Sequence, residues 1–183
     1  MALQLAPDEP AAGPWRAELL TTVAARLMRP GKGESAGHRP VVLAIDGRSS
    51  SGKTTLADGI LVPARWDEHQ HEGAIEVPAD CALLIVEGVG AARRETAHLT
   101  GAAVWVQSDE REAERRSVAR VGQPGDSPTL RHLRDWMAEE VPFLADQRPW
   151  ERADLVACGT PEVPCDPVTE LVVAPPPGAG RPH

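Results

Sequence analysis

Residues 47 to 54 read Gly-Arg-Ser-Ser-Ser-Gly-Lys-Thr and follow the apolar run "VVLAI" at 41 to 45 almost directly. This stretch constrains the fold more than any other. A short continuous apolar run rich in β-branched residues suits a strand buried on both faces of a parallel sheet. The eight residues that follow satisfy G-x-x-x-x-G-K-[ST], a glycine-bounded turn that needs a strand before it and a helix after it. Both flanks fit here, since "KTTLA" opens a helical segment.

That setting gives the turn a chemistry. The glycines let the backbone fold tightly, so that successive amide hydrogens and the positive end of the following helix converge on phosphate oxygens. Lys53, one of only two lysines in the chain beside Lys32, then reaches the β and γ phosphates of a nucleotide. Thr54 offers a hydroxyl to Mg²⁺, an ion that keeps most of its waters and needs few protein ligands. The candidate phosphate-binding residues are therefore Gly47, Arg48, Ser49, Ser50, Ser51, Gly52, Lys53 and Thr54.

Composition sets the bounds. At 183 residues, 42% apolar and 25% charged, the chain can bury one sizeable core and reads as globular. Its net charge of -8 argues against non-specific attraction to nucleic acid or an anionic membrane, so local groups must hold any anionic ligand. Cys81, Cys158 and Cys165 are odd in number and form no CxxC pair, which argues against a disulfide framework or a zinc site. No run approaches the roughly 18 apolar residues of a membrane span, and "MALQLAPDEP" lacks a signal-peptide pattern. A reducing cytoplasm is the expected location.

Along the chain, strands and helices alternate without an internal repeat. "PWRAELLTTVAARLMRP" predicts a helix from Pro14, with Trp15, Leu19, Leu20, Val23 and Leu27 at helical spacing. Strands are predicted at 41–45, 82–86, 102–106 and 153–157. Residues 109–120 predict a helix that Asp109 caps, and 128–145 another, whose face of Leu130, Leu133, Trp136 and Met137 runs until Pro142 disturbs it. The division that follows is an N-terminal helix and loop over 1–37, an α/β domain over 38–160, and a Pro/Gly-rich tail over 161–183 whose composition predicts disorder.

A nucleotide triphosphate with Mg²⁺ needs an acidic partner on a neighbouring strand. "CALLIVEGVG" delivers Glu87 to the C-terminal end of one, where α/β sheets collect ligands, and Gly88 and Gly90 leave room for close approach. Thr54 and Glu87 are thus the candidate metal ligands. Phosphoryl transfer also needs cations over the migrating group; Arg116 and Arg120, spaced i,i+4 beside Arg115, are candidates, against the ordinary alternative of a solvated face paired with Glu112 and Glu114. Asp67, Glu68, His69, His71 and Glu72 read chiefly as a polar surface loop.

"VVLAIDGRSSSGKTTLA", "LLIVEGVGA", "AERRSVARVG" and "ERADLVACG", in this order, resemble the uridine kinase-like branch of P-loop nucleoside kinases over roughly residues 38 to 160. The resemblance implies a phosphate loop from Gly47 to Thr55, a Mg²⁺-associated acid at Glu87 and lid arginines among Arg115, Arg116 and Arg120. Two departures stand out. Only 33 residues separate Lys53 from Glu87, where the family inserts a strand and an aspartate-rich acceptor motif, and Val121 stands where the lid often carries aspartate. Asp67 or Glu68 could substitute for the acceptor base, with Trp66 in the pocket.

The expected fold is a P-loop NTPase-type three-layer α/β domain with four or five mainly parallel strands. The expected activity is transfer of the γ-phosphoryl group of Mg·ATP to a small hydroxyl acceptor such as a nucleoside, with Lys53, Glu87, Arg116 and Arg120 as catalytic residues. The alternative is a nucleotide-binding module that no longer phosphorylates an acceptor efficiently. No N-K-x-D motif supports a GTPase.

Overall fold

The computed structural model describes residues 3–28, 40–58, 77, 78, 80–121 and 128–177. Six strands form one mixed sheet: β1 (Arg16–Leu19), β2 (Val41–Gly47), β3 (Leu83–Glu87), β4 (Ala102–Gln107), β5 (Leu155–Cys158) and β6 (Glu170–Ala174), in the spatial order β1-β6-β5-β4-β2-β3. Four of them, β3-β2-β4-β5, pair in parallel. Two antiparallel pairings then add β6 and β1 at the far edge. The helices are α1 (Leu20–Leu27), α2 (Lys53–Asp58), α3 (Glu110–Val121) and α4 (Pro128–Gln147).

Alternation along the strands builds two cores. Leu43 and Ile45 of β2 and Val104 and Val106 of β4 point to one face, where Val23 and Leu27 of α1 and Leu56 of α2 pack on them. Trp105 and Val156 point to the other and meet Leu144 of α4 and Trp150. The rings of Trp105 and Trp150 lie edge to face at 5.5 Å, each wholly buried, a pairing that contributes about 0.5–1.5 kcal/mol beyond its area. Helices on both faces explain why the central strands read as unbroken apolar runs.

Three expectations are corrected. The strands among the described residues number six, not four or five. The predicted helix from Pro14 is a strand over residues 16–19 before it becomes α1, because "RAEL" pairs with Leu171, Val172 and Val173 of β6 and that distant partner overrides local helical spacing. For the same reason the sheet runs beyond residue 160 and takes in both flanking segments, so 170–174 is ordered strand rather than tail. The N-terminal segment is also tied in: Glu9 is buried against β4, where it accepts from the Trp105 indole at 2.7 Å and from the Gln107 amide. Helix α4 continues through Pro142 to Gln147.

Among the described residues no helix is long and apolar enough to cross a membrane. An apolar gap of about 20 Å³ under α1, lined by Val23, Leu27 and Leu43, offers no polar partner to hold even one water.

Candidate functional site

Strand β2 has β3 on one side and β4 on the other, so connections diverge at its C-terminal end. Such a switch point opens a crevice in a parallel sheet. The turn from Gly47 to Gly52 lies there. Gly47 is needed for close approach, since a Cβ would come within 2.8 Å of the Val106 carbonyl, and Gly52 for its φ of +108°. Ser50 takes a φ of +58°, which costs about 1–2 kcal/mol without a glycine. The Ser117 hydroxyl of α3 donates to the Ser50 hydroxyl at 2.6 Å and ties α3 to this point of the turn.

A cleft of about 270 Å³ opens above the turn. Ser49, Ser50, Gly52, Lys53 and Thr54 line one side, with Glu87, Gly88, Val89, Arg120 and Trp136 around the rest. The Lys53 ammonium folds back to donate to the Arg48 carbonyl at 2.9 Å. It is only 8% exposed, and burial holds its pKa below the ordinary lysine value, opposed by the carboxylates of Glu87, Glu140 and Asp46. The Thr54 hydroxyl donates to Glu87 Oε1 at 3.2 Å, so the two candidate metal ligands are neighbours on the open side. Together these groups can neutralise an anion and present two hard oxygens to a cation.

Other predicted site residues lie elsewhere. Arg48 turns inward, buried, and pairs with Glu110 at 2.9 Å. Ser51 is buried beneath the turn, and Thr55 lies in α2. The two arginines of α3 part company: Arg120 lines the cleft, whereas Arg116 donates to Glu112 at 2.9 Å and to the Gly159 carbonyl at 2.8 Å. Asp67, Glu68, His69, His71, Glu72 and Trp66 lie outside the described residues.

The Arg115 and Arg116 guanidiniums, Arg115 foremost, draw the partly exposed Glu112 carboxyl down from 4.5 to about 2. A depressed carboxyl favours the fold above its unfolded pKa, and that contribution disappears as pH falls from about 4.5 to 2. Glu112→Gln is therefore expected to flatten the acid side of the stability profile. Denaturant midpoints of both proteins should converge toward pH 2; a constant gap would show that the pair does not act through charge.

Two carboxylates absent from the sequence reading shape the site. Asp46, 0% exposed, is the penultimate residue of β2 and accepts from three backbone amides: Gly47 at 2.8 Å, Gly90 at 3.0 Å and Ala92 at 2.9 Å. It thereby clamps the loop after β3, which carries Glu87 at its root, to the start of the turn. Burial pushes its carboxyl up, against the pull of those amides and of Lys53. A charged residue inside "VVLAIDG" was the available signal. Glu140 of α4 accepts from the Ser49 amide at 3.0 Å, the Ser49 hydroxyl and the Trp136 indole at 3.0 Å. Nothing local in "AEEV" sets it apart from its acidic neighbour.

No protein-family model matches the chain, and no curated protein matches it. The fold and the cleft define the class of molecule only as an α/β protein with a polar, lysine-bearing crevice at the C-terminal end of its central strand.

Proposed function

We propose that the cleft binds the polyphosphate of ATP with Mg²⁺, on a P-loop NTPase-type three-layer fold, and that the protein transfers the γ-phosphoryl group to a small hydroxyl acceptor, as uridine kinase-like proteins do. The observation that carries this reading is the convergence of Lys53, Thr54 and Glu87 in one cleft at the switch point of the sheet. Lys53 supplies a cation that leaves the Arg48 carbonyl for phosphate oxygens. Arg120, exposed on the cleft wall, adds a second positive charge facing the same space. The donor set of Thr54 and Glu87, one hydroxyl and one carboxylate, suits Mg²⁺, which when bound neutralises charge on the phosphoryl oxygens. A reducing cytoplasm suits the three cysteines, which are unbridged.

A second reading, nucleotide binding without efficient transfer, is favoured by the 33 residues between Lys53 and Glu87, too few for the family's acceptor segment. Incubation with labelled Mg·ATP and a panel of nucleosides separates the two. A labelled nucleoside monophosphate supports the kinase; ligand-dependent stabilisation without transfer supports the binding module.

Both readings require Lys53. Mg·ATP is expected to raise the melting temperature, and Lys53→Ala to weaken that binding by about 1.5–3 kcal/mol, the scale of a charge-assisted hydrogen bond. Equal shifts in the two proteins would remove Lys53 from the site.

A further inference from the structure

Trp136, Glu140 and Leu144 recur at intervals of four along α4 and therefore form one stripe of the helix. Leu144 is buried in the core against Trp105 and Val156. Glu140, 4% exposed, is sealed against Ser49. Trp136, the third of the stripe, faces the same way but lies beyond the sheet, on the wall of the cleft. It is 52% exposed, and among the described residues no other tryptophan or phenylalanine side chain is exposed. The other described tryptophans, Trp15, Trp105 and Trp150, pack in or against the core.

The indole is also held in position. Its N–H donates to Glu140 Oε1, while the other oxygen of that carboxylate takes the Ser49 amide of the turn. One buried carboxylate thus fixes the ring relative to the loop that carries Lys53. The cleft lining consequently combines two unlike kinds of group, the cations Lys53 and Arg120 and the aromatic side chain of Trp136. A ligand that complements both carries phosphates and a planar ring.

We infer that Trp136 is a stacking platform for a nucleobase. The inference rests on the phosphate-binding reading above for the other end of the ligand, and it deepens that reading by assigning a residue to ring recognition. Stacking on an aromatic side chain accepts any base, because every base has a π-face. The ring belongs either to the nucleoside triphosphate or to a nucleoside acceptor, and the two sources give different results in binding experiments.

The test is calorimetric titration of the full chain and of Trp136→Ala and Trp136→Phe with Mg·ATP, with Mg·tripolyphosphate, which has no base, and with uridine and adenosine. Far-UV circular dichroism checks that each variant folds. Trp136→Ala is expected to leave tripolyphosphate affinity unchanged and to weaken a base-bearing ligand about tenfold, and Trp136→Phe to retain most of the affinity. A loss confined to ATP assigns the platform to the donor; a loss confined to a nucleoside, titrated with tripolyphosphate present, assigns it to the acceptor. Either supports the inference. If tripolyphosphate binds and no base-bearing ligand is weakened, the platform is overturned while phosphate binding stands. If tripolyphosphate does not bind the wild-type protein, the phosphate reading falls, and the nucleosides alone decide: binding that depends on Trp136 upholds the platform, and any other result overturns it.

Discussion

Glu87→Gln is expected to lower phosphoryl transfer by roughly 2–4 kcal/mol, about 30- to 1000-fold in kcat, with little change in fold. The substitution keeps the side chain's size and one carbonyl oxygen, so Thr54 retains an acceptor in place of the 3.2 Å hydrogen bond to Glu87. Glu87 is exposed at the end of an edge strand, and a change there moves stability by only about 0.5 kcal/mol. What is lost is the negative charge on which the proposed cation site at Thr54 and Glu87 depends. The same loss is measurable without turnover: Mg²⁺ should strengthen ATP binding to the wild-type protein and do so much less in the variant. An unchanged Mg²⁺ dependence would leave Glu87 an ordinary carboxylate at the end of a strand.

The largest stability effect is expected at Asp46. Truncation to alanine would leave the amides of Gly47, Gly90 and Ala92 without their acceptor. A buried donor left unpaired costs about 1–3 kcal/mol, and the three share one site where a water can repair part of the loss, so a total of about 3–5 kcal/mol is expected. That is a large fraction of the roughly 5–15 kcal/mol that holds a domain folded. Asp46→Asn should fall between the two, since its carbonyl can still serve the donors of one carboxylate oxygen while its NH₂ faces another N–H. Urea unfolding measures the series. A loss below about 1 kcal/mol for alanine would mean that the three amides find other partners and that Asp46 does not hold the loop after β3 in place.

The legible parts of this molecule are those whose physics is local. Strands β2 to β5 stand out because helices cover both faces of the sheet, which leaves no polar alternation to confuse the reading. The turn at 47–54 is legible because its glycines answer backbone demands at fixed positions. Strand β1 is not, because "RAEL" carries no signal of a partner in residues 170–173. Glu140 and Trp136 are illegible as site residues for a related reason: on the helix they look like one more acid and one more apolar position, and only the packing of α4 against the turn gives them a task. Arg116 and Arg120 show the limit from the other side, since the same spacing that brought them together as candidates turned one to the cleft and the other to Glu112 and Gly159.

The pairing of Arg16 with Val173 bears on how the chain comes to be folded as it is made. Synthesis releases β1 before the other described strands, yet its neighbour in the sheet, β6, follows after all of them. The parallel core can assemble once β5 has emerged, with its outer edge bare and the first strand waiting in solution. Closure of the sheet is then a late, long-range event, entropically slow because nearly the whole chain forms the loop it must bridge. In the interval the exposed edge of β5 is an adhesive surface for other nascent copies. Until β6 pairs with β5, the edge of the parallel core thus stays open to association, and β1 can join the sheet only after that.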